Sequence, residues 1–169
     1  MKSADTWTQF ATQLECCIAA IEEDDILIVT RQDANQFVQL IRHDDVLSVE
    51  ATSNAFIQPP PFLLDQRHYA VALQLGWLPP TEAAHDALQK EADDEPYEGS
   101  PNFHLQWPVG RPGLAKLFVD TLRRVYGIRS LGGLMYTSFK REGFIEIRWP
   151  TLGVPSYAHN FFGQETTDD

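Results

Sequence analysis

The stretch "ILIVTRQDANQFVQLIRHDDVLSVEAT", residues 26–52, holds three runs of strand-forming residues separated by short polar breaks. "ILIVT" (26–30) is β-branched and continuously apolar, the composition of a central strand. "QFVQLIR" (36–42) and "VLSVEAT" (46–52) alternate imperfectly between apolar and polar, and "HDD" (43–45) between them is short enough for a tight hairpin. Strands joined by connections this short pair antiparallel, so the stretch is an antiparallel meander.

Helices are expected on either side of it. Residues 5–23 carry Trp7, Phe10, Leu14, Ile18 and Ile21 at helical spacing, with Ala11 and Cys17 beside them and Ser3 or Asp5 as the cap. "IQPPP" (57–61) breaks the sheet and leads into a second helix over 62–75. "LQLGWLPP" (73–80) stops it: Gly76 suits the left-handed turn that ends a helix, and Pro79 and Pro80 forbid a return. Trp77 follows at once, either as a hydrophobic lock packed back on helix and sheet or as the lining of a site. A polar, acidic loop covers 79–100, and "PNFHLQWP" (101–108) is compact and aromatic enough for a short edge strand.

The third helix, 111–126, is the clearest element. Pro112 suits its first turn, Gly127 ends it, and Leu114, Leu117, Phe118, Thr121, Leu122, Val125 and Tyr126 make its apolar stripe. "LMYTSF" and "FIEIRW" flanking "KREG" read as a terminal hairpin. The fold class is α+β: one antiparallel sheet, mostly a meander, with three helices packed against it. Residues 1–150 are expected to form a single domain, and 151–169 an arm whose Tyr157, Phe161 and Phe162 dock on it before a mobile "ETTDD" end.

Composition narrows the function classes. The 169 residues carry a formal charge of −11, which repels phosphate backbones, and the pairs Arg123-Arg124 and Lys140-Arg141 are too small for a nucleic-acid footprint. No apolar run approaches a membrane span, and the N-terminus lacks the apolar stretch of a signal peptide, so a cytoplasmic protein is the default. Cys16 and Cys17 are adjacent, which strains a mutual disulfide, and Cys17 is expected to be a small buried thiol.

A search for chemistry yields little. The histidines, at 43, 68, 85, 104 and 159, have no metal-ligand spacing, and "HDD" is better read as a solvated turn than as a cation site. His104 lies among aromatics, where a structural histidine outweighs a general base. There is no GxSxG elbow, P-loop or dinucleotide fingerprint; the glycine pair of "LGGLMY" follows a helix end and lacks a phosphate-loop lysine. Glu142 and Glu146 on the terminal hairpin are read as ordinary strand charges. No catalytic residue, cofactor or metal is assigned.

What stands out is a set of landmarks in fixed order. "VEATSN" (49–54) ends the third strand, "LQLGWLPP" ends the second helix, and "PNFHLQWP" precedes "LFVDTLRRVYGI" (117–128). This order resembles the YbjN-like and TY-Chap proteins, whose fold is similar to that of the type III secretion chaperones, over about residues 5–130. The matching positions are Glu50 and Asn54; Leu75, Gly76 and Trp77; Pro101, Asn102 and Phe103; Tyr126 and Gly127. The resemblance implies a bacterial, cytoplasmic homodimer that binds protein or peptide segments without catalysis. The terminal hairpin departs from the secretion chaperones, which finish with a helix.

The expected function is therefore a non-catalytic, chaperone-like or adaptor module for a protein or peptide client, with Glu50, Asn54, Gly76, Trp77, Asn102, Phe103 and Trp107 as landmark or partner-binding residues. The alternative is a small-molecule sensor or enzyme with a pocket near Trp77, His104 and Trp107. Clients are expected to add a strand to an unpaired sheet edge. Of Phe37, Val38, Leu40, Val46, Leu47 and Val49, whichever set is exposed should form the patch.

Overall fold

Alternation along the strands sorts their side chains into a covered face and an open one. The computed structural model describes residues 6–81 and 100–157. Its six strands are β1 (Asp25–Arg31), β2 (Gln36–His43), β3 (Val46–Ala51), β4 (Phe103–Pro108), β5 (Leu134–Lys140) and β6 (Ile145–Glu146). They form one antiparallel sheet in the order β4-β3-β2-β1-β5-β6. The expected meander is present as β1 to β4; the chain then crosses over and lays β5 on the far side of β1. That places "ILIVT" centrally, as its composition implies, and β4 at an edge.

In register, Leu27 stands beside Leu40 and Val29 beside Val38; Leu40 faces Val49, and Val38 faces Ala51. All six are buried, and Phe103 and Tyr136 continue the same face. On it lie α1 (Trp7–Ala20), which buries Phe10, Leu14 and Cys17, and α3 (Leu114–Asp120), which buries Leu114, Ala115, Leu117, Phe118 and Val119. α2 (Gln66–Gln74) contributes Ala72. Burying each large apolar side chain stabilises the fold by about 1.5–3 kcal/mol, so this one layer is where stability resides.

The opposite face has no helix among the described residues. Ile26, Ile28, Phe37, Ile41, Met135 and Phe139 stand on it, all only half-buried. The residues of the central strand β1 alternate buried and half-buried, because helices cover one side.

Several element ends differ from their sequence expectation. Thr6 caps α1, accepting from the Gln9 N–H at 3.1 Å, so the helix starts later than Asp5 and neither Ser3 nor Asp5 is the cap. A single 3₁₀ turn, Pro60–Phe62, stands where the second helix was expected to begin; α2 starts after Asp65, whose carboxylate takes the His68 N–H and is held below the usual carboxylate range by that bond. α3 begins at Leu114 rather than 111. Its first turn lacks a cap of its own, and Glu15 of α1 accepts the Ala115 N–H at 3.2 Å. It ends in a π turn, Thr121–Val125, since the Tyr126 N–H reaches back to the Thr121 carbonyl. The terminal hairpin exists, but β6 is two residues long where six were expected, because Gly143 and Phe144 take left-handed conformations in the connection.

Other segments pair with parts of the sheet edges. His104 on β4 exchanges both backbone bonds with Leu78. On β5, the Tyr136 N–H donates to the Pro155 carbonyl, Tyr157 donates back to Tyr136, and Ile147 donates to Ser138. The described part of the expected arm is thus docked, with Leu152 and Val154 in the core and Tyr157 half-buried beside β5. Phe161, Phe162 and "ETTDD" lie outside the described residues.

The helix stop is as its sequence says. Gly76 has φ 106°, its N–H donates to the Leu73 carbonyl, and the Trp77 N–H donates to that of Ala72, the paired bonds of a Schellman motif. A Cβ added at Gly76 would meet nothing within 4 Å, so only backbone strain opposes a side chain. Gly76→Ala should destabilise by about 1 kcal/mol, read as a fall in melting temperature with an unchanged circular dichroism spectrum.

Candidate functional site

Residues 52–54 leave the sheet while still enclosed, and their backbone groups must find partners that strands no longer supply. Most of the landmark residues converge on this point. The Asn102 Oδ1 accepts the Ser53 N–H at 3.1 Å, and the Ser53 hydroxyl donates to the Pro101 carbonyl at 2.6 Å. Asn54 grips the segment ahead of α2 with both ends of its amide: Nδ2 donates to the Leu64 carbonyl at 2.8 Å, and Oδ1 accepts the Leu64 N–H at 2.7 Å. Tyr126, at the end of the π turn, donates its hydroxyl proton to the Thr52 carbonyl at 2.8 Å. Burial pushes that phenol well above its ordinary range, which keeps it a neutral donor.

Glu50 ties the same knot from the open face. Its carboxylate accepts from the Gln39 amide at 2.7 Å and the Ser100 hydroxyl at 3.0 Å, with the Asn102 amide at 3.5 Å. Phe103 is fully buried beside it and packs on Tyr69, ring centroids 4.9 Å apart. The knot thus joins β3, the approach to α2, the start of β4 and the end of α3.

Trp77 is 2% exposed. Its indole N–H donates to the Thr121 hydroxyl at 2.9 Å, and that hydroxyl donates on to the Leu117 carbonyl at 2.7 Å. The turn after α2 is therefore fastened to the middle of the α3 segment. Thr121 was legible as a lone hydroxyl in an apolar stripe, but nothing in the sequence paired it with Trp77. Trp107 holds the connection from β4 to α3: its N–H donates to the Arg111 carbonyl at 3.0 Å and the Arg111 guanidinium lies 4.3 Å over the ring.

The pocket expected near Trp77, His104 and Trp107 does not assemble. Residues 104 and 107 differ by an odd number along β4, so His104 stands on the open face in register with Glu50, and Trp107 on the covered face in register with Leu47. The His104 Nδ1 lies 3.2 Å from the Asn102 carbonyl. "HDD" forms the two-residue β2–β3 turn with Asp44 at φ 51°. His43 is grouped with Glu23 and Asp24, yet Glu23 accepts the Asp44 N–H and Asp24 pairs with Arg141 at 3.0 Å. Burial pushes the Cys17 thiol up to about 11, so it is protonated at neutral pH, while Cys16 is exposed.

No curated protein and no solved structure matches the chain. The family model TY-Chap3, described as the T3SS (YopN, CesT) and YbjN peptide-binding chaperone 3, matches residues 2–140. The chain belongs to that family. Its fold, an α+β arrangement on an open antiparallel sheet, agrees with a type III secretion chaperone-like architecture, and its role is chaperone-like binding. No helix among the described residues is long and apolar enough to cross a membrane.

Trp77→Ala removes a buried ring and strands the Thr121 hydroxyl, so it should lower unfolding free energy by about 3–5 kcal/mol in denaturant titration. In the native protein a thiol reagent should modify Cys16 rapidly at neutral pH and Cys17 only on unfolding, counted by mass spectrometry.

Proposed function

We propose that this protein holds an extended apolar segment of a client protein against the open face of its sheet and carries out no chemistry. The observation that supports this most directly is the face itself. Ile26 lies between Phe139 and Ile41, Met135 and Phe37 flank Thr30, and Ile28, between Thr137 and Gln39, links the two groups, so apolar side chains from three strands gather in a strip on this face. Phe144, 76% exposed, stacks on Phe139 with centroids 5.8 Å apart and extends the strip beyond β5. Exposed apolar surface gathered this way marks a partner site rather than ordinary surface.

The edge pairings bear on how the client is held. Strand addition needs unpaired backbone; Pro155–Tyr157 take that of Tyr136 on β5, and Leu78 takes that of His104 on β4. Lying across the face needs only apolar contact. Of the six residues singled out in β2 and β3, Phe37 and Val46 remain for such contact; Val38, Leu40, Leu47 and Val49 are core. Glu50, with Gln39 and His104 in its row, makes the polar border of the strip, while Asn54, Gly76, Trp77, Asn102, Phe103 and Trp107 hold the frame that presents it.

A homodimer, bacterial origin and a cytoplasmic location belong to the same reading and rest on family membership. The open face is also the apolar surface that two copies would share.

The test is fluorescence anisotropy with a labelled synthetic peptide of about eight residues alternating leucine and serine, matched to the strand repeat. Ile28→Glu and Phe37→Glu should each weaken binding at least about tenfold, because an ionised carboxylate resists burial under an apolar ligand, while the circular dichroism spectrum is unchanged. Ala19→Glu, on the helical side, should bind as wild type. Equal binding by all variants removes the face as the site. Sedimentation at micromolar concentration should show a dimer; a 19.2 kDa species alone removes that part of the reading.

A further inference from the structure

The chain carries a formal charge of −11, yet its arginines are not evenly spread. Arg31, Arg123, Arg124 and Arg129 line two adjoining hollows, of about 620 and 500 Å³, that share Gly127, Ile128 and Arg129. Elsewhere Lys116, Lys140, Arg141 and Arg148 are each paired with a carboxylate. Arg123, Arg124 and Arg129 are exposed and form no ion pair among the described residues. The two carboxylates lining the hollows are already engaged, Asp33 by Arg31 at 2.7 Å and Asp120 by Lys116.

The walls are held in place. The Arg123 guanidinium lies 5.7 Å over the Trp7 ring, and the Trp7 N–H donates to the Arg129 carbonyl at 3.3 Å. Arg31 lies 4.6 Å over the Phe62 ring. Such stacking orients guanidinium groups; Arg31 gives two of its donors to Asp33, while the donors of Arg123 form no ion pair among the described residues. The larger hollow is continuous with the open face, since Met135 lines one and stands on the other.

We propose that this arginine-lined hollow receives the carboxylates of an acidic stretch adjoining the client's apolar segment. The inference rests on the open-face reading. It adds a client chemistry: alternate apolar residues over β1 and β5, followed by aspartates or glutamates at the end of those strands near Leu134. Charge complementarity favours an acidic occupant. Within roughly a Debye length, about 8–10 Å, the unpaired arginines dominate over the more distant negative charge.

The test uses the full chain and two labelled peptides that share the leucine–serine half and end in tetraglutamate or tetraserine. The acidic peptide should bind about tenfold tighter at low salt, with the gap narrowing as salt rises. In Arg124→Glu/Arg129→Glu the two peptides should bind alike, the tetraserine affinity matching wild type; Arg124→Gln/Arg129→Gln should fall between. Equal binding to wild type, or a preference that survives charge reversal, overturns this inference and leaves the face reading standing. Failure of both peptides to bind removes both. A preference that grows in Glu165→Gln/Asp168→Asn/Asp169→Asn identifies the chain's own acidic end as the occupant and overturns the client assignment. A change of sedimentation in the charge-reversed protein identifies a second copy, with the same consequence.

Discussion

Buried backbone groups that leave a sheet must be paired, and the exit of β3 is where this constraint governs the molecule. Thr52 keeps the last links to β2: its N–H and hydroxyl both donate to the Phe37 carbonyl at 3.0 Å, and the hydroxyl accepts the Phe37 N–H at 2.7 Å. Beyond it the chain depends on side chains from elsewhere: Asn102 for the Ser53 N–H, the Tyr126 hydroxyl for the Thr52 carbonyl, and Ser53 itself for Pro101. An unpaired buried donor or acceptor costs about 1–3 kcal/mol, so several left open together would consume much of a small domain's stability. The polar knot therefore fixes α2, β4 and α3 relative to the sheet.

Once these elements are fixed, the asymmetry of the sheet follows. The knot and the Trp77–Thr121 bond both pull the helices to one face. Short segments, Leu78 and Pro155–Tyr157, pair with one residue each of β4 and β5. What remains is a face whose apolar strip is framed but not covered among the described residues. On the proposed reading, such a frame lets a client dock without reordering the protein that receives it.

Charge acts over a second length scale. A formal net charge of −11 opposes aggregation through an apolar strip and steers associations from beyond contact distance. The arginines around Gly127 invert the sign locally, at the end of the strip rather than along it. An apolar surface alone discriminates poorly among clients, whereas a charged end adds register and direction.

The sequence by itself determined what depends on neighbours along the chain. Periodicity gave the strands at 26–52 and the stripes of α1 and α3, the pair Gly76-Trp77 gave the helix stop, and the order of landmarks gave the family. Only tertiary structure decided which face of the sheet is covered, that Glu15 caps α3, that Thr121 receives Trp77, and that His104 and Trp107 point apart. The π turn and the shortened β6 escaped for the same reason: a hydrogen bond's partner and a strand's neighbour are set by packing across the fold, and local composition carries no record of them.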